Sequence, residues 1–230
     1  MRTANPHNIR DDFLAGLQDI ETALTDITGK GITQKSRLHV VEYSFLAASI
    51  LLEGFISDLF VAYINKKNAP FVAYVTTRMT IEATDEVSKR AIPFAAVDIG
   101  SHLTLEKIRQ ILDPRDWNVS FATSADLKAK AGQWLDIPFK IHFTSLSTSH
   151  DALLEATKAV RNYLAHRSGA SQTAMQAALA HNNLAAGFRR ASNNVKSVGS
   201  FLDSTPPGGR QTRLKFYLDE LQAIAQQLCP

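Results

Sequence analysis

The stretch FLAASILLEGFISDLFVAYI, residues 45–64, decides the fold. It lies inside a longer run of apolar residues spaced three or four apart, from Leu38 to Tyr63. This spacing is typical of one face of a long α-helix. Glu53 and Asp58 interrupt the stretch, and charged side chains are costly at membrane depth. We therefore expect a buried helix of a soluble protein, with no membrane association.

Boundary signals place this helix at about residues 36–66 and make it the longest of the chain. Ser36 can cap its start, and NKKNAP, residues 65–70, supplies basic residues, asparagine and proline that end it. An earlier stripe from Phe13 to Ile27 predicts another amphipathic helix, which GKG, residues 29–31, ends.

Further helices are predicted along the rest of the chain. The segments with helical patterns are LTLEKIRQIL (103–112), SADLKAKAGQWL (124–135), STSHDALLEATKAV (147–160) and QTRLKFYLDELQAIAQQL (211–228). The alanine-rich segment 171–202 is also helical in tendency, with breaks at Gly187 and Gly199. FVAYVTTRM (71–79) and IPFKIHF (137–143) are less regular, and short strands or buried irregular segments both fit them.

Together these patterns predict a mostly all-α protein. Long amphipathic helices far apart in sequence need partners for their apolar faces, and a helical bundle is the simplest arrangement. The length of 230 residues suits a single domain over 1–230, in which residues 70–145 form a possible insertion or lid.

The bulk composition restricts the function classes only slightly. Twenty-five basic and 22 acidic residues give a net charge of +3, too small a surplus to indicate nucleic-acid binding by itself. The only cysteine, Cys229, cannot form an internal disulfide, so the fold does not rely on an oxidising compartment. The N-terminal residues are polar and contain no apolar signal core, and we expect a cytoplasmic protein.

The stretch ATKAVRNYLAHRSGAS, residues 156–171, carries the candidate site. Four apolar residues of this helix fall within an arc of about 80° and should face the core: Leu153, Ala156, Val160 and Leu164. Asn162 and His166 lie about 165° and 125° from the centre of that arc, and Arg161 flanks it. The helix should stop at Gly169. The polar trio is therefore expected to face water or a second molecule.

An ordinary explanation exists for such a trio. Cations are favourable near a helix C-terminus because the helix dipole is negative there, so these residues can be a solvated surface without further role.

RNYLAH, residues 161–166, matches the pattern R-N-x-x-x-H at the end of a helix. In this motif the chain resembles the HEPN superfamily. Members of that superfamily carry R-x(4–6)-H, usually with a polar residue after the arginine. The apolar stretch 45–64 also resembles the long first-half helix of the RiboL-PSP-like branch. The resemblance covers these two helices and extends to the final one. It implies a HEPN-type helical bundle, a metal-independent endoribonuclease and a homodimer that pairs two motif helices.

The residue types agree with that chemistry. Histidine, with an ordinary pKa of about 6.5, can move the proton of an RNA 2′-hydroxyl, which then attacks the neighbouring phosphate. Arginine can hold the phosphate and stabilise its developing charge. By the resemblance, His166 and Arg161 take these roles, and Asn162 orients the histidine or the RNA.

Two further residues are weaker candidates. Glu53 lies on the flank of the long helix, where it can touch Arg161 as part of the site or as an ion pair. Tyr163 is expected to pack against a neighbour, with base stacking as the alternative. The basic residues Arg189, Arg190, Lys196, Arg210, Arg213 and Lys215 either extend a phosphate track or form solvated surfaces.

Three functions remain open at the sequence level. The first is an RNase acting as a toxin or defence effector, with RNA as substrate and a possible antitoxin or regulatory protein as partner. The second is a non-catalytic HEPN-like module that binds a protein or nucleotide. The third is an unrelated helical interaction protein. The sequence contains no P-loop, G-x-G-x-x-G, G-x-S-x-G or metal-ligand spacing, so we expect no cofactor and no metal.

Overall fold

A computed structural model describes residues 4–80, 82–92, 99, 103–115 and 117–230. Within these residues the chain forms eleven α-helices and no strand, which confirms the predicted all-α class. The helices are α1 (Pro6–Thr28), α2 (Gln34–Lys66), α3 (Ala69–Thr76), α4 (Glu86–Ala91), α5 (Leu105–Leu112), α6 (Ser124–Trp134), α7 (Ile137–Thr144), α8 (Thr148–His166), α9 (Gly169–Leu179), α10 (Val198–Asp203) and α11 (Arg213–Leu228).

Helix α2 is the longest described helix, at 33 residues, as its apolar stripe predicted. It starts two residues before the expected Ser36, and the capping residue is Thr33. The Thr33 hydroxyl accepts a hydrogen bond from the backbone N–H of Ser36 at 3.2 Å, so Ser36 provides the donor and not the cap. The predicted first helix and its end at Gly29 are also confirmed.

The polar residues of α2 connect it to its neighbours. The Asp58 carboxylate forms an ion pair of 2.7 Å with Arg109 of α5. The Ser57 hydroxyl accepts a hydrogen bond of 2.9 Å from the backbone N–H of Val119. These contacts explain why an apolar helix carries acids and serines: each lies where another segment crosses α2.

Helix α2 is also long and apolar enough to cross a membrane. Its most apolar 18-residue window has a mean hydropathy of 1.8, and 61% of that window is buried inside the protein. A core helix of a soluble protein has the same properties, so this feature does not assign a location.

The middle of the chain packs on α2 through aromatic rings. Phe60 contacts Phe121, Trp134 and Phe143 at centroid distances of 4.7, 6.2 and 4.8 Å. Phe71 of α3 lies 5.8 Å from the Trp134 ring. Helices from the middle therefore share one hydrophobic core with α2, while their role as an insertion or lid stays a prediction.

Two segments of the middle differ from the strand expectation. FVAYVTTRM contributes to α3 and IPFKIHF to α7, and both are helical. Each helix has a proline in its first turn, where the missing N–H costs nothing, and Asp136 caps α7 through the N–H of Ile137. Apolar residues on all sides of these short helices hid the helical period in the sequence.

The alanine-rich segment is helical only in part. Helix α9 ends at Leu179, and the chain from 180 to 197 is irregular before α10. Gln176 holds this loop, since its side chain donates to the carbonyl of Val195 at 2.6 Å and accepts from the Val195 N–H at 3.3 Å. Gly199 allows α10 to approach α2, because a Cβ there would lie 2.7 Å from the carbonyl oxygen of Leu38.

Candidate active site

Helix α8 carries the candidate residues and packs against α2. Ser147 caps its start by accepting from the His150 N–H at 3.1 Å, as predicted from the serine-rich start of this segment. The core stripe is buried at Leu153, Ala156 and Val160. The polar C-terminal end of α8 also contacts α2, through the ion pairs of Arg161 with Glu53 and of Arg167 with Glu42.

Arg161 is held between two oxygen atoms. Its Nη1 donates to Oδ1 of Asn162 at 3.2 Å, and its Nη2 lies 3.5 Å from Oε2 of Glu53. The side chains of Arg161 and Glu53 are 32% and 46% exposed, so this ion pair contributes little stability, at most about 1 kcal/mol. The Nε atom is buried and has no partner in the described part of the chain. The guanidinium can therefore exchange its long contact with Glu53 for a phosphate.

His166 is the last residue of α8 and is exposed. Its imidazole makes no hydrogen bond to any residue that the structure describes, so both ring nitrogens are open to a substrate. Asn162 lies one turn before it on the same face of the helix. Because His166 is five residues after Arg161, the two lie about 7.5 Å apart along the helix axis.

The end of α8 differs from the sequence prediction. Arg167 adopts a left-handed conformation with φ 50° and ends the helix, while Gly169 is the first residue of α9. The Arg167 guanidinium pairs with Glu42 of α2 at 2.7 Å, and the second oxygen of Glu42 accepts from the N–H of Gly199 at 2.9 Å. Arg167, and not the expected glycine, therefore ends the helix, and its ion pair with Glu42 holds the chain directly after His166.

A cavity of about 690 Å³ opens beside Arg161. It lies between α2, α6, α8 and the segment 112–124, of which the structure describes 112–115 and 117–124. Glu53, Arg161 and Asn162 line it, whereas His166 and Tyr163 do not. The candidate residues are thus divided between the cavity and the exposed end of α8.

The segment 112–124 is fastened to the polar face of α8. The ammonium group of Lys158 donates to the carbonyls of Phe121 and Ala122 at 2.9 and 2.7 Å, and the Glu155 carboxylate accepts from the N–H of Ser124. Because this segment covers the face opposite the core stripe, Asn162 is only half-exposed. Asn162 is partly buried and lines the cavity, whereas His166 is exposed, so both lie away from the core stripe as predicted.

Hydroxyl groups lie at the inner side of the cavity. Ser49 and Thr157 line it and each donates to a helix carbonyl one turn earlier, both at 2.8 Å. The Tyr217 hydroxyl lies 3.2 Å from that of Ser49. Burial raises the pKa of Tyr217 far above its ordinary value, so its hydroxyl stays neutral and can only share hydrogen bonds.

Three of the other candidates make contacts within the protein: Tyr163, Arg213 and Lys215. Tyr163 is partly buried and packs on the core, as expected, with the Arg167 guanidinium 5.3 Å above its ring. Arg213 is buried and donates to the Ser204 hydroxyl at 2.6 Å. Lys215 forms an ion pair of 2.8 Å with Glu21. Arg213 and Lys215 therefore do not extend a phosphate track.

Sequence reasoning missed the residues on the opposite wall of the cavity, chiefly Arg115 and Trp117. They lie in a turn after α5, where the Asp113 carboxylate accepts from the N–H groups of Trp117 and Asn118 at 2.9 and 2.7 Å. Lys158 was also missed, although its spacing of three and four residues from Arg161 and Asn162 places it on the same helix face.

The carboxylates near the site do not form a metal-binding cluster in the described part of the chain. Among the residues that the structure describes, no three His, Cys, Asp or Glu side chains come together closely enough to hold a metal ion.

Comparison with known proteins gives no relative: no protein-family model, no curated protein and no solved structure matches this chain. Function must therefore be argued from the residues and their geometry.

Proposed function

We propose that this protein is a metal-independent endoribonuclease of HEPN type, which cleaves RNA through the 2′-hydroxyl. The proposal rests on the R-N-x-x-x-H motif at Arg161, Asn162 and His166, and on its resemblance to that superfamily. We further propose that the enzyme acts in the cytoplasm as a toxin or defence effector, with an antitoxin or other regulatory protein as a possible partner.

One observation carries the proposal: the motif lies at the end of a helix that packs against the long apolar helix. Arg161 contacts Glu53 and Arg167 contacts Glu42, so the motif end of α8 lies along α2. A HEPN-like bundle requires this pairing of helices. An unrelated helical protein with a coincidental motif does not.

The roles of the residues follow from their surroundings. His166, open on both ring nitrogens, accepts the 2′-hydroxyl proton or returns a proton to the leaving 5′-oxygen. Arg161 holds the phosphate and stabilises the charge that builds on its oxygens. Asn162, bonded to Arg161 at 3.2 Å, orients that guanidinium. The products are a 2′,3′-cyclic phosphate and a free 5′-hydroxyl.

A homodimer would complete the acid–base chemistry, because one α8 provides a single histidine of the motif and cleavage uses two proton transfers. Helix α2 offers a surface for it. Tyr43 and Ile50 are seven residues apart on one face of α2 and are 69% and 51% exposed. This face adjoins Glu53 and hence Arg161, so a two-fold contact there brings both motifs together.

The alternative is a non-catalytic HEPN-like module that binds a nucleotide or a protein. The cavity favours it, because a site of about 690 Å³ falls within the range of small-molecule pockets. It differs from the enzyme in one respect: it has no need for His166, which lies outside the cavity.

Expression in bacteria of the wild-type chain beside His166→Ala tests the proposal. Growth arrest and RNA fragmentation with the wild type alone, at equal protein levels, are the expected results. Equal growth and intact RNA in both cultures would contradict it.

A further inference from the structure

The cavity beside Arg161 has apolar walls and a cationic rim. Its walls include Leu52, Ile56, Leu112, Val119, Phe121 and Leu127. Four cations and three carboxylates also line it. The carboxylates of Asp113 and Glu155 are occupied by backbone N–H groups. The lining therefore has one more cation than carboxylates, and Lys130 is paired with Asp126 at 2.9 Å.

Two of the cations form no ion pair within 4 Å among the described residues, although Lys158 is close enough to Asp126 to interact with its charge. Lys158 donates only to backbone carbonyls, and the guanidinium of Arg115 lies 5.1 Å from the Trp117 ring. With Arg161, whose contact with Glu53 is 3.5 Å long, they surround the opening with charges suited to phosphate.

Trp117 presents an indole ring at the rim of the cavity. It is 73% exposed, which is unusual for so large an apolar side chain. The turn that carries it is held by the Asp113 carboxylate, by Asn118 with φ 80°, and by the bond from the Val119 N–H to Ser57. An exposed aromatic ring beside cationic side chains is an arrangement on which nucleic-acid bases stack.

The cavity walls also contain donors without acceptors. The Nε1 of Trp134 and the Nε of Arg161 are buried and unpartnered in the described part of the chain, and both residues line the cavity. Buried N–H groups are nearly always hydrogen-bonded in native proteins, so these two donors would gain an acceptor if the side chains that cover them moved aside for a ligand. The carbonyl oxygens and ring nitrogens of a nucleobase are acceptors of this kind.

We propose that this cavity binds one unstacked base of single-stranded RNA, with the adjoining phosphate on Arg161. The base stacks on Trp117 and enters between the apolar walls, and Arg115 and Lys158 hold the backbone at the rim. The inference rests on the proposed ribonuclease function and specifies its substrate: RNA whose base is free to leave the stack. A duplex keeps its bases stacked and paired and is a poor ligand.

The experiment measures binding without cleavage. Purified His166→Ala protein is titrated with each of the four ribonucleoside 3′-monophosphates, by calorimetry and by tryptophan fluorescence. The only two tryptophans of the chain, Trp117 and Trp134, both line the cavity, so quenching reports on this site. At least one nucleotide should bind saturably and quench the fluorescence, more tightly than inorganic phosphate does.

Variants in the same background locate the ligand. Trp117→Ala should weaken binding by at least about fivefold, and Trp117→Phe should restore most of it, because stacking needs an aromatic face. The control is Ile137→Ala, which removes a side chain of similar exposure, 67%, outside the cavity and should leave affinity unchanged. Melting temperatures confirm that each variant is folded.

Some results would overturn the inference. They are no saturable binding of any nucleotide, equal affinity for inorganic phosphate, or unchanged affinity in Trp117→Ala. If the His166→Ala protein binds a nucleotide but the wild type cleaves no RNA, the result supports the binding cavity and contradicts the proposed ribonuclease function. If the wild type cleaves RNA but no nucleotide binds to the His166→Ala protein, the result supports the ribonuclease function and contradicts the binding cavity.

Discussion

At the scale of single residues, Arg161 and His166 are held in opposite ways. Arg161 is fixed by Asn162 and Glu53 and lines a cavity, whereas His166 is exposed and without a hydrogen bond to the described residues. A phosphate-binding group benefits from a fixed position, and a proton carrier needs access to its substrate. Under the proposed mechanism, Arg161 would bind the phosphate and His166 would transfer the proton.

The first prediction separates charge from geometry at Arg161. Arg161→Lys should restore little RNA cleavage relative to Arg161→Ala, because lysine keeps the charge and loses the planar fork that contacts both Asn162 and phosphate. Asn162→Ala should cause a smaller loss, since it orients the guanidinium and transfers no proton. Initial rates on one labelled RNA give the ranking. An Arg161→Lys enzyme with wild-type rates would show that charge alone suffices.

The second prediction concerns metal ions. A histidine and an arginine can supply proton transfer and charge stabilisation, so RNA cleavage should persist in EDTA at the wild-type rate. The assay compares untreated enzyme with enzyme dialysed against the chelator. Loss of activity that a divalent ion restores would defeat this mechanism.

At the scale of helices, the sequence predicted the long helices, because their apolar residues recur every three or four positions over many residues. The apolar stripes of α2 and α11 are long, and the structure buries most of their residues as expected. The stripe of α8 is buried except at its end, where Leu164 is partly exposed. The stripe of α1 is buried only at Phe13 and Leu17, and Ile27 is 40% exposed. The short helices α3 and α7 were missed because each has only eight residues, and apolar residues on both buried and exposed faces leave no clear helical period in the sequence. The cavity was missed for another reason. Its far wall, from Leu112 to Ser124, meets α8 only through long-range contacts such as Lys158 to Phe121.

The third prediction concerns the end of α8. Arg167 has φ 50°, a conformation that favours glycine, and its ion pair with Glu42 is half-exposed. Arg167→Ala loses the pair and keeps the strain, while Arg167→Gly loses the pair and relieves it. The glycine variant should therefore be more stable than the alanine variant by about 1 kcal/mol. Urea unfolding measures both. Equal stability would show that the helix end is not strained.

At the scale of the whole molecule, the exposed apolar face of α2 and the single motif histidine of each chain both argue for assembly. The fourth prediction is a homodimer in solution, with twice the chain mass of 25.3 kDa by light scattering. Ile50→Glu should give monomers and reduce cleavage, because it places a charge in the apolar contact. The control, Ile137→Glu on α7, should stay dimeric. A wild-type monomer at assay concentration would contradict the prediction.

The most direct test of the central claim is RNA cleavage by purified His166→Ala protein, beside its melting temperature. His166 is exposed and packs on nothing in the core, so its removal should change the free energy of unfolding by less than about 0.5 kcal/mol. The account predicts a folded protein with its melting temperature unchanged and its RNA cleavage abolished. A folded His166→Ala protein that cleaves RNA at the wild-type rate would remove histidine from the mechanism. The end of α8 would then be a solvated surface.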